Sequence, residues 1–172
     1  MSIIKKLLKE IEQEAQTTRK FLAIVPEDKF DWRPHQKSMS LMQLTNHIAE
    51  LPAWISMAIT TDELDFHANP YHPNTATTSA DLLDIFENNY ADSRALLENT
   101  TEQELDKPWI LRSGDMILAD MNKYETVRVS IAQTIHHRAQ LGVYLRLLNV
   151  AIPGSYGPSA DELEARQAAA VA

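Results

Sequence analysis

Apolar residues in this chain return with the period of a helix. Ile4, Leu7, Leu8, Ile11, Ala15 and Leu22 recur at steps of three, four and seven, with Lys and Glu between them. Leu41, Leu44, Ile48, Leu51 and Ile55 make a second stripe, and Leu82, Phe86, Tyr90 and Leu97 a third. Tyr124, Val127, Ile131, Ile135, Leu141, Tyr144, Leu145 and Leu148 supply a fourth. A strand buries alternate residues, so stripes at this spacing bury their side chains together only on helices. Sandwiches and barrels need many glycine-rich turns, and this chain has 4 Gly in 172 residues. The expectation is an all-α fold, a four-helix bundle.

The punctuation agrees. Ser2 is a suitable N-cap for the first helix and Pro26 closes it; residues 26–37 read as turns, with Pro34 disfavouring helix at Arg33. The second helix begins after Ser40 and carries Pro52 inside its stripe, which should kink it or leave the carbonyl of Ile48 unpaired. Residues 61–78 are polar, contain Pro70 and Pro73, and read as a long connection. The third helix starts near Thr78 or Ser79, with Asp81 in its first turn. Two short apolar runs, Trp109-Ile110-Leu111 and Met116-Ile117-Leu118, flank Arg112-Ser113-Gly114-Asp115 and suggest a hairpin-like excursion lying on the helices. The fourth helix runs from about residue 123 to 149. Residues 162–172 contain good helix formers with little to bury, so a marginal helix or frayed tail is expected there. The whole reads as one domain over residues 1–162 with a short tail, 163–172.

Charge and composition exclude several functions. The formal net charge is -8, and no dense Lys/Arg stripe offsets it, which argues against nucleic acid as a partner. Lys5, Lys6 and Lys9 are followed closely by Glu10, Glu12 and Glu14 and read as the solvated face of a helix. There is no Cys, so thiol nucleophiles, disulfides and thiolate metal sites are excluded. No apolar run approaches the length of about 18 residues that a membrane span needs, and the charged N-terminus has no signal-peptide core. A cytoplasmic protein is expected.

Histidines carry the chemistry. His47 lies on or beside the second apolar stripe, flanked by Leu44, Ile48 and Leu51, which fits a hydrogen-bonded core imidazole or a ligand aimed into the bundle. His136 and His137 are adjacent in the fourth helix, where successive side chains leave about 100° apart, so one metal ion is not expected to take both. Residues four apart share a face, which pairs His137 with Gln133. Glu50, one turn after His47, could serve as a general base or as a hydrogen-bond acceptor behind a ligand; a surface ion pair is the plainer role. Arg138 either pairs with a carboxylate near the site or anchors its helix. Trp32, Trp54 and Trp109 read as core or lid packing, His67 and His72 as surface residues of the long connection, and Tyr156 and Asp161 as residues that close the fold or a dimer contact.

Phe30-Asp31-Trp32-Arg33-Pro34-His35, then Ser38-Met39-Ser40-Leu41 and Leu44-Thr45-Asn46-His47-Ile48-Ala49-Glu50, resemble the first signature of the DinB/YfiT-like family. His136-His137-Arg138-Ala139-Gln140-Leu141-Gly142-Val143-Tyr144-Leu145-Arg146 resembles the second, and Tyr156-Gly157-Pro158-Ser159-Ala160-Asp161-Glu162 is similar to one branch of that family. The resemblance covers the chain from the first helix to about Glu162. It implies a four-helix bundle, a homodimer, and a divalent metal, zinc or nickel, held by one His on the second helix and an i, i+4 His pair on the last. By position these fall on His47, Gln133 and His137. The middle one is not His. An amide oxygen is a weaker and harder ligand for zinc or nickel than an imidazole nitrogen, so the metal is expected to be held weakly or not at all. His136 and Arg138 fall around the pocket.

Two functions follow from the resemblance. One is a metal-dependent enzyme, a thiol S-transferase or a hydrolase, acting on a small molecule, with a low-molecular-weight thiol as a second substrate in the transferase case. The other is a non-catalytic bundle with a degenerate metal site that binds a small ligand or a partner. The family's name refers to damage-inducible genes; it does not make this acidic chain a DNA-binding protein.

Overall fold

A computed structural model of the chain describes residues 2–171. Four helical rods make up the bundle: α1 (Ile3–Leu22), the pair α2 (Leu41–Glu50) and α3 (Ala53–Thr60), α4 (Ser79–Asn99), and, after the short α5 (Glu102–Leu105), α6 (Lys123–Leu147). A last helix, α7 (Ala160–Val171), follows. Both α4 and α6 pack against α1, α2 and α3, so these two helices form the opposite corners of the bundle. Leu22, Leu41, Leu44, Ile48, Leu82, Leu97, Val127, Leu141 and Leu145 are fully buried between them, which is the convergence of the four sequence stripes.

Local chemistry starts each rod. The Ser2 hydroxyl accepts from Lys5 N at 3.3 Å. Ser40 with Gln43, Thr78 with Asp81, and Asn122 with Glu125 form reciprocal capping boxes at α2, α4 and α6, each satisfying otherwise orphaned backbone donors. Thr78 is the cap and Ser79 the first helical residue.

The second rod is broken rather than kinked. Pro52 has no N–H to give to Ile48, so α2 stops at Glu50 and α3 restarts at Ala53. Neighbouring rods hold the break: Ser130 Oγ donates to the Leu51 carbonyl at 2.7 Å and Ser93 Oγ to that of Pro52 at 2.5 Å. Trp54 N and Ile55 N also reach those two carbonyls, so neither depends on a serine alone. Replacing Ser130 with alanine should therefore cost about 1 kcal/mol, the net worth of one hydrogen bond, measured by urea unfolding.

The excursion before α6 is a hairpin of β2 (Pro108–Ser113) and β3 (Met116–Asn122), antiparallel with Trp109 opposite Met121 and a bulge between Leu111 and Arg112. Gly114, at φ 58°, makes its turn. Part of the long connection joins it: β1 (Glu63–Asp65) pairs parallel to β2, with Leu64 opposite Leu111. Asp65 fixes both pieces, accepting from His67 N and Gly114 N at 2.9 Å each. Trp109 pins the sheet to the bundle, fully buried and donating through Nε1 to Thr61 Oγ1 at 3.1 Å.

The acidic face of α1 is not simply solvated. Glu10 pairs with Arg128 of α6 at 2.5 Å, Glu12 with Arg94 of α4 at 3.1 Å, and Glu14 is buried against Arg138 of α6 at 2.6 Å. The stretch past residue 160 is helical through Val171. Its first turn is tied back: Asp161 pairs with Arg146 and accepts from Ile152 N at 3.0 Å, an arrangement that holds its carboxyl down at about 2. Tyr156 turns its hydroxyl onto Glu14 and Arg138, so both residues close the fold.

Candidate metal centre and the adjoining groove

The packing of α2 on α6 brings two imidazoles into contact. His47 stands beside the buried Leu44, Ile48 and Leu51, half-buried itself, and its ring meets that of His137 edge to face, centroids 4.6 Å apart and planes at 81°. Both rings are held below the usual imidazole range. Burial is the main cause at each; the neighbouring His137 adds to it at His47 and His136 adds to it at His137, while Glu50 and Gln140 pull the other way at their respective rings. At neutral pH both are uncharged, the form in which an imidazole binds a metal or takes a proton.

Gln140 decides which nitrogen of His137 is free. Its amide lies 2.8 Å from His137 Nδ1 through Oε1 and 3.0 Å from His136 Nε2 through Nε2. With the amide in this orientation its N–H donates to His136, and Oε1 accepts the Nδ1–H of His137. That leaves the electron pair of His137 Nε2 unused, and a hydrogen bond at the other ring nitrogen is what orients a ligating histidine. The bridge also draws the adjacent rings together, centroids 4.9 Å apart, despite the divergence expected of neighbouring helical residues. The sequence places Gln140 in the second signature, on the face of His136, without giving it a role; the signal was its place three residues after one histidine and four after the other.

Gln133 lies one turn before His137, exposed, and lines with His136 and His137 an open cavity of about 500 Å³. Arg138 faces elsewhere. Its guanidinium donates to the Glu14 carbonyl and carboxylate, to Thr18 and to Tyr156, so it anchors α6 to α1. Glu50 is also committed: Tyr71 OH donates to one carboxylate oxygen and Asn74 N, at 2.7 Å, to the other. With Asn46 Oδ1, which accepts from Ala76 N at 3.1 Å, it straps the long connection onto α2. Beneath that strap lies a groove of about 640 Å³ whose lining includes His47, Glu50, Trp54, Met57, Phe66 and Tyr71. Burial and the Glu50 hydrogen bond push the Tyr71 phenol well above its ordinary range, so it remains a donor.

Donor chemistry tests whether this centre suits a metal. Among the described residues no three His, Cys, Asp or Glu side chains gather into a cage. The helices offer two neutral imidazoles and one amide, a set that fits a divalent cation held weakly, with positions left for solvent or substrate.

The chain matches the DinB family model over residues 1–168. It belongs to the DinB family. The fold is shared with solved DinB structures at low identity. A DinB-like protein from Bacillus cereus is 19% identical, with a TM-score of 0.68 over 88% of this chain and 97% of that one. YfiT from Bacillus subtilis, described as a probable metal-dependent hydrolase with an unusual four-helix bundle topology, is 12% identical, with a TM-score of 0.66 over 88% of this chain and 91% of that one. A mycothiol-dependent maleylpyruvate isomerase is 14% identical, with a TM-score of 0.59 over 82% of this chain and 61% of that one. No curated protein matches the chain. Within this DinB bundle, no described helix is long and apolar enough to cross a membrane.

Proposed function

We propose that this DinB protein is a metal-dependent enzyme acting on a small molecule, with His47 and His137 as the ligands of a divalent cation, zinc or nickel, and Gln133 as a weak third donor. The contact between two uncharged rings, of which His47 lines the groove and His137 the open cavity beside Gln133, carries the reading; the description of YfiT as a probable metal-dependent hydrolase and the thiol dependence of the isomerase support it by kinship. Bound there, a divalent cation supplies Lewis acidity and activates a water or a thiol as nucleophile. The chain's own residues do the rest. Gln140 holds the His137 tautomer, and the Glu50 strap holds the long connection over one side of the groove. A chain without Cys draws any thiol from solution, so hydrolase and S-transferase chemistry are both accommodated. Glu50 is the general-base candidate only when Tyr71 and Asn74 release it.

The missing third histidine favours a second reading, a ligand-binding bundle with a degenerate metal site. Calorimetric titration of the untagged chain with Zn²⁺ and with Ni²⁺ separates the two. The enzyme reading expects saturable binding at roughly micromolar concentration, abolished in His47→Ala and in His137→Ala, with a matching thermal shift. No saturation and no shift in the wild type would leave the non-catalytic bundle.

A further inference from the structure

The groove beside His47 is walled mainly by apolar surface, with Asn69, His72, Asn74 and Asn89 as the uncharged polar part of its lining. Trp54 on α3 and Phe66 after β1 stand edge to face, centroids 6.5 Å apart, and Trp54 is backed by the buried Trp109 at the same distance. Met57 and Tyr71 continue the apolar surface, and Tyr71 is more than half exposed. Among the described residues no Lys or Arg lines this groove. Its one carboxylate, Glu50, has both oxygens occupied by Tyr71 and Asn74. An anion entering here would shed its hydration against aromatic faces and meet no cation, inside a chain whose net charge is -8. A cation would also shed its hydration here, and would have to share Glu50 oxygens that already accept from Tyr71 and Asn74. A flat uncharged ring would find aromatic edges and faces, a sulfur-bearing side chain that adapts to its outline, and an imidazole at one end.

We propose that the groove takes an uncharged small molecule carrying an aromatic or similarly flat apolar ring, seated against Trp54 and Phe66 with its polar end toward His47. This rests on the reading that the His47 end of the groove is where the chemistry occurs, and it names the class of substrate that the site admits. Carboxylate-bearing substrates are selected against.

Three probes that share one ring test it: 2-naphthol, 2-naphthoate and protonated 2-naphthylmethylamine, titrated calorimetrically at pH 7 into the full untagged chain with a chelator present. Naphthol should bind saturably and about tenfold or more tighter than naphthoate, since the carboxylate must be desolvated without a partner. Trp54→Ala and Phe66→Ala should each weaken naphthol by about tenfold, through lost ring contact and apolar area. Phe66 lies outside the helical core, so its variant reports on binding even where Trp54→Ala disturbs folding, and circular dichroism checks both. Equal or tighter binding of the carboxylate or the ammonium overturns the proposal, as does naphthol binding indifferent to Phe66→Ala, or no saturable binding of any probe. Because the chelator strips divalent cations, failure here says nothing against the metal titration, and failure of that titration leaves a positive result here standing.

Discussion

Replacing Arg138 with alanine should cost about 3–5 kcal/mol of stability, the largest single effect expected in this chain. Arg138 is 1% exposed, and it donates to Glu14 Oε2 at 2.6 Å, to the Glu14 carbonyl at 3.1 Å and to Thr18 Oγ1 at 3.1 Å. Truncation removes every one of these donors while Glu14, 8% exposed, keeps its charge inside the α1–α6 contact. Tyr156 would still donate to that carboxylate at 3.0 Å, which relieves part of the penalty and argues for the lower half of the range. The pair is expensive to break and cheap to replace: a Glu14→Leu, Arg138→Met double variant should recover most of the loss, because both buried charges leave together. Urea unfolding of the two singles and the double closes the cycle. A loss below about 1 kcal/mol in Arg138→Ala would place the pair with ordinary surface ion pairs.

That pair also marks where sequence reading stops. Glu14 ends a run of charges along α1, Lys5, Lys6 and Lys9 followed by Glu10 and Glu12, and a charge run of that kind reads as a solvated face. Its partner stands 124 residues away, and no local pattern announces a salt bridge between helices. The rods themselves were legible because each carries its own evidence: stripes at helical spacing, a cap, and a proline or glycine nearby. Pro52 announced a disturbance of the second rod, yet the side chains that brace the break, Ser93 and Ser130, belong to other helices. Strand β1 was hidden for the same reason. Three residues are too few for an alternation, and their partner β2 lies more than 40 positions on, at Ile110 for Glu63. At the centre, the kinship of the signatures singled out His47 and His137, and the α2–α6 packing brings their rings together. The groove was illegible, since Trp54 and Phe66 come from different elements and meet only when the long connection is strapped down by Glu50.

Gln133→His should tighten divalent metal binding by about tenfold or more, with each tenfold worth about 1.4 kcal/mol. The substitution restores an i, i+4 imidazole pair on α6, and residues four apart on a helix share a face. Gln133 is exposed and lines the same open cavity as His137, so the new ring replaces a solvated side chain and disturbs no packing. The gain comes from exchanging a hard amide oxygen for a nitrogen that suits zinc and nickel. Titration of the variant with Zn²⁺ and Ni²⁺, beside the wild type, reads the change directly. A His47→Ala, Gln133→His double variant adds the decisive control, because the gain should shrink when the α2 ligand is gone: a cation held only by two rings of one helix lacks the facing rod that completes the centre. Affinity unchanged in the single variant would mean that position 133 does not face the cation, and His136, already bridged to His137 through Gln140, would then be the nearest ring able to stand in.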